Sequence, residues 1–265
     1  MATGKVKAAA AAALFLTVCL LLFKDSFLPG KMLFGTDTVT IYMAFSVFAQ
    51  RALHVYGSLP SWLPDIYLGM PMIGSSSLLF YYPTDLLFIA LNVPIHSTYA
   101  FDLCLHMLAA ASGMFLFLRR IRLGSAASFF GASAIMVSGY LLSYVYAGHW
   151  NNIKAGALIP FAFYFTHRAL EKKSAVSFML AAVMPALMML ATGMQIMAYT
   201  MLGLAGYAAY YLIFVEKDKK AVGRAGAGLG LTLVFIFLLS APQLLPSLAY
   251  TNLSWRADVS YKDFI

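Results

Sequence analysis

Residues 196–245 decide the fold, and they read IMAYTMLGLAGYAAYYLIFV, then EKDKKAVGRA, then GAGLGLTLVFIFLLSAPQLL. Two apolar runs flank a short segment that carries four basic side chains. About 20 apolar residues are needed to cross the hydrocarbon core of a bilayer as an α-helix. A spanning segment must also satisfy all of its backbone hydrogen bonds internally, which excludes isolated strands. The stretch therefore predicts two transmembrane helices joined by a basic loop.

The same alternation of apolar runs and short basic segments continues through the chain. Of its 265 residues, 62% are hydrophobic and only 11% are charged, against about 25% charged in soluble domains. Seven spans are predicted, at residues 6–23, 95–118, 126–146, 153–168, 175–192, 196–215 and 226–245. The predicted fold is an all-α, polytopic transmembrane bundle in a single membrane domain, 1–265, with an outward loop at 25–94 and a six-span bundle at 95–245.

The basic residues predict how the spans are oriented. Twelve of the 18 Lys and Arg fall in four clusters, Lys5/Lys7, Arg119/Arg120/Arg122, Arg168/Lys172/Lys173 and Lys217/Lys219/Lys220/Arg224. An even number of predicted spans separates each cluster from the next, so all four lie on one side. The positive-inside rule makes that side the cytoplasm, with the N-terminus inside and the end of the chain outward in a multi-pass cell-membrane protein. This topology accounts for the formal charge of +8 without nucleic-acid binding.

Both ends of the chain carry an expectation of their own. The first span is interpreted as an uncleaved signal anchor, because no A-x-A cleavage pattern follows it. The chain stops at residues 261–265, soon after the last predicted span and without a closing element. That ending is typical of the N-terminal part of a longer protein. Cys19 and Cys104 lie inside apolar runs and are predicted to be packing residues.

The outward loop is predicted to contain an amphipathic helix at residues 38–56, lying along the membrane surface. Its apolar face comprises Ile41, Ala44, Phe45, Phe48, Ala52 and Val55, and its polar face Ser46, Gln50, Arg51 and His54. Asp37 directly precedes this helix, where an acid acts as an N-cap. Asp85 opens a second short apolar stretch, 86–91, which is also expected to rest at the interface.

Asp102 and His106 lie one helical turn apart inside the second predicted span. An acid at the centre of a bilayer costs about 2.5–3.5 kcal/mol, so such residues are often functional. Two interpretations stay open. Either the two residues bind substrate, or Asp102 lies near the outer headgroups and pairs with His106 or with another helix.

Three outward turns supply further candidates for binding. The turn at residues 148–152 contains His149, and Lys154 follows it at the start of the next helix. This group suits sugar hydroxyls or a phosphate, and it equally suits a helix cap with an interfacial tryptophan. Gln195 and Gln243 occupy the outer ends of two later spans and have the same two interpretations.

Other catalytic motifs are missing from the sequence. It contains no D-x-D, H-E-x-x-H or G-x-S-x-G pattern, which removes support for soluble nucleotide-sugar transferases, zinc hydrolases and serine hydrolases. The glycines at residues 226–230 superficially suggest a phosphate loop, but no strand precedes them and no Gly-Lys-Ser/Thr follows. They are predicted to allow close packing of helices instead.

Several outward segments together carry a family resemblance. In order, they are Gly35-Thr36-Asp37, Gly57-Ser58-Leu59-Pro60-Ser61-Trp62, Tyr67-Leu68-Gly69-Met70-Pro71, Tyr82-Pro83, Gly148-His149, Gly193-Met194-Gln195, Gln243-Leu244-Leu245-Pro246 and Ser254-Trp255-Arg256. In this order they resemble the YfhO-like family of bacterial membrane proteins, within the GT-C class of lipid-dependent glycosyltransferases. The resemblance runs from about residue 30 to the end of the chain.

The resemblance implies a membrane transferase that passes a sugar from a polyprenyl-phosphate-linked donor to a cell-envelope acceptor at the outer face. It places Asp37 as the catalytic base, early in the first outward loop. A departing lipid phosphate also needs outward positive charge, and Lys154 and Arg256 are candidates for it. No cofactor is predicted, and a divalent metal stays open. The chain departs from the family in its shorter length and in having a single acid, Asp37, where many GT-C enzymes have two.

Two other functions remain open. A transporter or flippase for a lipid-linked or small-molecule substrate should show broken helices near mid-membrane. A non-catalytic membrane scaffold is the other alternative.

Overall fold

The computed structural model describes residues 13–28, 30–65, 68–75 and 81–253. Within these ranges the chain is nearly all α-helical, with one short two-stranded ribbon. The helices are α1 (Ala13–Leu22), α2 (Met43–Tyr56), α3 (Pro83–Ala90), α4 (Ile95–Arg120), α5 (Ser125–Met136), α6 (Gly139–Ala147), α7 (Trp150–Lys172), α8 (Ala175–Leu190), α9 (Met194–Tyr210) and α10 (Lys219–Asn252). A 3₁₀ turn at Lys24–Phe27 follows α1, a π-helical turn at Thr38–Tyr42 leads into α2, and another at Tyr211–Val215 extends α9.

Helices α4 and α7 lie at the centre of the bundle. Helix α4 packs against α5 and α7, α7 also packs against α8 and α9, and α8 packs against α10. Their shared core includes Leu103 and Met107 from α4 and Ile153, Ala155 and Ala162 from α7, all buried. Small residues such as these alanines let helix backbones approach closely inside a membrane.

Four helical segments are long and apolar enough to cross a membrane: Ile95–Arg120, Ser125–Ala147, Met194–Val215 and Lys219–Asn252. Two shorter apolar helices, Ala13–Leu22 and Ala175–Leu190, accompany them. Many large apolar side chains on the long segments, Leu202, Ile213 and Phe237 among them, face outward from the bundle. The expectation of a helical membrane protein is confirmed at this level. The count of seven spans remains a prediction, although each of the seven stretches contains helix among the described residues.

The third predicted span, residues 126–146, is not one continuous helix. It breaks between α5 and α6 at Val137 and Ser138. Ser138 has extended backbone angles, and its side chain accepts a hydrogen bond from the amide of Leu141 at 3.4 Å. Serine followed by glycine favours such a new helix start over continuation of the old one. The predicted span is therefore two short helices in series.

The segment 25–94 contains the predicted helix, and its buried side is rotated from the predicted apolar face but shares Phe45 and Ala52 with it. The buried residues are Thr38, Tyr42, Phe45, Ala49 and Ala52, whereas Ala44 and Val55 of the predicted apolar face are exposed. Two residues of the predicted polar face hold the segment around α3 instead of facing only water. The side-chain amide of Gln50 donates to the carbonyl of Val93, and Nε2 of His54 contacts the carbonyl of Ile89, each at 2.9 Å.

A short ribbon that was not predicted follows α2. Strand β1 (Trp62–Leu63) pairs antiparallel with β2 (Met70–Pro71), with Trp62 opposite Pro71 and Leu63 opposite Met70. Gly69 has φ +109°, and a Cβ there would lie 2.5 Å from the ring of Trp62. Glycine is therefore needed where the second strand begins under that ring.

Ion pairs bring several predicted basic clusters to one end of the bundle. Arg120, at the end of α4, binds the carboxylate of Glu171, near the end of α7, through Nε at 2.6 Å. Lys173, just after α7, binds Glu216, just after the extension of α9, at 2.5 Å. Three of the four clusters thus meet at one end. The fourth, at Lys5 and Lys7, lies outside the described residues.

Glycines near the start of α10 bear out the prediction of close helix packing at one position. A Cβ on Gly228 would lie 2.1 Å from the ring of Phe178 in α8, whereas Gly226 and Gly230 have no atom within 4 Å of an added Cβ. Only Gly228 therefore permits the close contact between α8 and α10. No phosphate loop is formed, because these residues are helical.

Candidate functional site

Two groups of charged side chains lie at the end of the bundle where α4 and α7 begin. The first is the Asp37–His149 pair. The second is the buried ion cluster, which comprises Asp85, Asp102, His106 and Lys154 together with Tyr82 and Thr84.

In the Asp37–His149 pair, Oδ2 of the acid lies 3.2 Å from Nε2 of the imidazole. The Asp37 side chain is 32% exposed and the His149 side chain 41%, so both can reach a bound molecule. Asp37 has helical backbone angles and makes no side-chain capping hydrogen bond. The predicted N-cap role of Asp37 is therefore wrong, because the helix already includes residues 36 and 37. Its carboxylate is directed to His149 instead.

Two glycines allow the segment around Asp37 to lie directly on the turn between α6 and α7. A Cβ on Gly35 would approach the Cα of Gly148 at 2.6 Å, and a Cβ on Gly148 would approach the amide nitrogen of Thr38 at 2.5 Å. Gly148 also has φ +79°, a left-handed conformation that glycine adopts without steric cost. Space and backbone angle together require glycine at position 148.

Aromatic side chains hold the segment around Asp37 against the turn between α6 and α7. The indole Nε1 of the buried Trp150 donates to the hydroxyl of Thr38 at 2.8 Å. The ring of Tyr99 in α4 packs on Trp150 with centroids 4.8 Å apart. Asp37 and His149 are thus carried by two segments that are fastened to each other and to α4.

Lys154 is the centre of the buried ion cluster. Its side chain is 1% exposed, and Nζ binds Oδ2 of Asp102 at 3.0 Å and the carboxylate of Asp85. The hydroxyl of Thr84 donates to the other oxygen of Asp102 at 2.8 Å. A buried charge is tolerated only when it is paired and hydrogen-bonded in this way. Lys154 on α7 therefore joins this helix to α3 and α4 through its two ion pairs.

His106 extends the cluster to Tyr82. Its Nδ1 lies 2.7 Å from the backbone carbonyl of Asp102, and since a carbonyl only accepts, Nδ1 carries the proton. In the neutral imidazole Nε2 is then an acceptor, and the hydroxyl of Tyr82 lies 2.7 Å from it. Burial raises the pKa of Tyr82, and the nearby carboxylates add to the effect. Tyr82 thus keeps its proton and donates a hydrogen bond to Nε2 of His106.

Asp85 is the more exposed of the two acids in the cluster, with 19% of its side chain exposed against 3% for Asp102. Burial raises the pKa of the Asp85 carboxyl to about 6, although the ammonium of Lys154 acts in the opposite direction. The carboxylate of Asp102, which binds the same ammonium, adds to the effect of burial.

The remaining predicted residues lie apart from these two groups. The side-chain amide of Gln195 donates to the hydroxyl of Tyr199 at 3.0 Å, on an exposed part of α9. Gln243 is buried, and its amide donates to the hydroxyl of Ser247 at 3.0 Å. Arg256 lies outside the described residues. In the part of the chain that the structure describes, no three His, Cys, Asp or Glu side chains are grouped so as to hold a metal ion.

Sequence reasoning missed Asp85 and Tyr82 as partners of Lys154 and Thr84 as a partner of Asp102. A signal was present, because Lys154 stands between Ile153 and Ala155 in an apolar helix, and a lysine in that position needs an acid. The pairing of Asp102 with another helix, one of its two open interpretations, is what the structure contains. Binding of a substrate by Asp102, His106 or Lys154 remains a prediction.

Comparison with known proteins adds no family to this description. No family model matches the chain, and no curated protein matches it. The resemblance to the YfhO-like family thus stays a hypothesis that rests on the segments quoted above.

Proposed function

We propose that the chain is a membrane glycosyltransferase, of the GT-C type, that moves a sugar from a polyprenyl-phosphate-linked donor to a cell-envelope acceptor at the outer face. The observation that carries the proposal is the half-exposed Asp37–His149 contact. It occurs at the end of the bundle opposite the ion-paired basic loops. The resemblance supplies the donor class.

Asp37 acts as the general base in this reaction. Its carboxylate takes the proton of an acceptor hydroxyl while the oxygen of that hydroxyl bonds to the anomeric carbon of the sugar. The bond between this carbon and the lipid-phosphate oxygen breaks, and the phosphate leaves with the electron pair. A positioned base of this kind contributes about 10² to 10⁴ in rate. His149 holds the Asp37 carboxylate in place through the 3.2 Å contact.

The leaving phosphate needs a cation, and the two predicted candidates differ in availability. Lys154 is buried and already bound to two carboxylates, so its charge is balanced within the protein. Arg256 lies outside the described residues and stays the predicted partner of the phosphate. His149, when protonated, is a second cation at the exposed pair.

The decisive experiment is a transfer assay on membranes that contain the full-length protein. A radiolabelled polyprenyl-phosphate sugar is supplied on the outer side, and label in cell-envelope polymer is measured against membranes without the protein. Label in polymer supports the proposal. Equal label in both membranes, with the protein present at a normal level, contradicts it.

The proposed orientation has its own test, by labelling introduced cysteines with a membrane-impermeant thiol reagent. Ser61 is exposed next to the ribbon, and Lys172 is exposed at the basic end of α7. Ser61→Cys is expected to react in intact cells and Lys172→Cys only after lysis. Both native cysteines are buried, so the background is low. Reaction of Lys172→Cys in intact cells would reverse the orientation.

A transporter or flippase is the second candidate, favoured by the break between α5 and α6. Transporters often use helices that are broken near mid-membrane, and this break divides the 23-residue segment Ser125–Ala147 into two parts. Movement of a labelled lipid phosphate across proteoliposome membranes, without transfer of its sugar, would favour this function over the transferase.

A further inference from the structure

A cavity of about 330 Å³ lies between α6, α7 and α9. We call it the tyrosine groove. Its walls include Tyr140 and Tyr144 from α6, Ile159 and Phe163 from α7, and Tyr199 and Gly203 from α9. None of these side chains belongs to the buried ion cluster.

The groove begins beside the candidate base. The ring of Tyr144 packs against the ring of His149 with centroids 5.9 Å apart, and His149 contacts Asp37. Gln195 lines the same end of the groove, where its amide donates to the hydroxyl of Tyr199. The polar end of the groove therefore adjoins the place where the proposed reaction occurs.

The other end of the groove reaches deep into the bundle. Gln195 is the second residue of α9, and Gly203 lies eight residues further along it. At 1.5 Å per residue this distance is about 12 Å along the helix axis. On α7, Phe163 lies 13 residues beyond Trp150, which is about 20 Å by the same rise. With the starts of α7 and α9 at the outer membrane surface, as proposed above, a groove of this depth extends into the hydrocarbon layer.

The chemistry changes along this depth. The deeper walls are carbon surfaces of Ile159, Phe163 and Gly203. The hydroxyl of Thr200 is used within α9, where it donates to the carbonyl of Ile196 at 2.7 Å. A sugar would leave its hydroxyls without partners there, which is costly in a water-poor site. A hydrocarbon chain has no such requirement.

Gly203 keeps the deep end open. A Cβ at this position would lie 3.3 Å from the ring of Phe163, so a larger side chain would enter the cavity between α7 and α9. Gly206 lies on the same helix and has no atom within 4 Å of an added Cβ. Gly203 faces the cavity and Gly206 faces open space, so a substitution at Gly206 is a matched control for the same substitution at Gly203.

We propose that the tyrosine groove holds the phosphate-proximal isoprene units of a polyprenyl phosphate, with the phosphate at the Gln195 and His149 end. The identity of this lipid rests on the proposed function, whereas the site itself rests on the position, depth and apolar walls of the groove. The groove then directs the bond to the sugar toward Asp37.

The test uses the full-length protein in nanodiscs and a polyprenyl phosphate with a diazirine in its first isoprene unit. Photolabelling is expected on peptides of α6 and α9, and excess unlabelled polyprenyl phosphate should remove it. Gly203→Leu should lower this labelling by about tenfold, because the leucine side chain would occupy space in the groove that the lipid needs. Gly206→Leu should retain it. Equal labelling of Gly203→Leu and Gly206→Leu, or equal competition by a straight-chain alkyl phosphate, would overturn the proposal.

A transfer assay on the same proteins separates failure of the groove from failure of the proposed function. Groove labelling that depends on Gly203, without sugar transfer by the unmodified protein, would leave the lipid site standing and reject the transferase. Normal transfer and normal labelling by Gly203→Leu would reject the groove and leave the transferase standing.

Discussion

The Asp37–His149 pair and the buried ion cluster use the same kinds of side chain at the same end of the bundle, yet they differ in burial. In the cluster, Lys154 and Asp102 are 1% and 3% exposed and are bound on all sides by protein groups. In the pair, about a third of each side chain or more is exposed. A closed set of charges stabilises the helices it joins, whereas an open pair can bind and transfer a proton.

This difference assigns separate roles to residues that the sequence groups together. Lys154 and His149 are five residues apart, and both were candidates for substrate binding. The structure turns Lys154 into the bundle against two carboxylates and leaves His149 facing outward with Asp37. Substitutions in the cluster are therefore expected to change stability, and substitutions in the pair to change activity.

The largest expected effect follows from removing the cation of the cluster. Lys154→Met leaves Asp85 and Asp102 without their common partner, and breaking a buried ion pair costs about 3–5 kcal/mol. Denaturant titration of the protein in detergent measures the free energy of unfolding. Lys172→Met, at an exposed position, is the control and should remain within about 0.5 kcal/mol of the unsubstituted protein.

A second substitution tests whether uncompensated charge is the cause. Adding Asp102→Asn to Lys154→Met removes one of the two stranded carboxylates and should recover part of the lost stability. The alternative outcome is that the effects of the two substitutions on the free energy of unfolding simply add. The double variant would then be less stable than Lys154→Met, and Lys154 and Asp102 would not be energetically coupled.

The next effect concerns activity. Asp37→Asn keeps the size of the side chain but cannot accept a proton from the acceptor, so sugar transfer should fall by at least about a hundredfold. Its unfolding should change little, since Asp37 makes no capping bond. Asp65→Asn, in an exposed part of the same loop, should transfer normally. Near-normal transfer by Asp37→Asn would end the assignment of Asp37 as the base.

A smaller difference is expected between two glycine variants, one of them at the junction that carries the pair. Gly148→Ala introduces an unfavourable backbone angle and a clash with Thr38, whereas Gly57→Ala has a similar φ of +73° and open space around it. Both variants incur about 1–2 kcal/mol for the left-handed conformation, and Gly148→Ala should cost about 1–3 kcal/mol more through the clash. Unfolding and transfer are measured together. Equal behaviour of the two variants would show that the close contact is unimportant.

The smallest effect is a dependence of stability on pH. The pKa of Asp85 is about 6 in the folded protein against 3.8 for a free carboxyl, so the folded state binds a proton that the unfolded state releases. The contribution of Asp85 to stability should therefore be greatest below about pH 4 and fall as the pH rises to about 6, by about 1 kcal/mol after allowance for its partial exposure. The measurement is denaturant titration across this range. Asp85→Asn should remove the dependence, and an unchanged profile would refute it.

The helices could be predicted because their signal is local. A run of apolar residues of sufficient length specifies a helix in lipid whatever its neighbours are, and α4 and α9 follow their predicted stretches. Helix α10 extends seven residues beyond its predicted stretch at each end, so Lys219, Lys220 and Arg224 of the predicted basic loop are helical. Ser138 and Gly139 are a local signal for the break in the third span. The length and hydropathy of the whole stretch nevertheless favour a prediction of one continuous helix.

Partners and faces could not be predicted in the same way. Which acid approaches Lys154 depends on how α3 and α4 pack against α7, and sequence spacing does not contain that information. The buried side of α2 was predicted only in part for the same reason. Phe45 and Ala52 are buried as expected, whereas Gln50 and His54 of the predicted polar face contact backbone carbonyls near α3. The contact of Asp37 with His149 could not be predicted either, because it depends on how the segment before α2 packs on the turn between α6 and α7.

The bond between Thr38 and Trp150 joins residues that are 112 positions apart. A ribosome adds about 5–20 residues per second, so on the order of ten seconds separate the synthesis of these two residues. During that interval the segment that carries Asp37 has none of its contacts with the turn at Gly148. The exposed pair is therefore assembled only after α7 has begun to emerge, and a chain truncated before residue 150 would display Asp37 without completing the site.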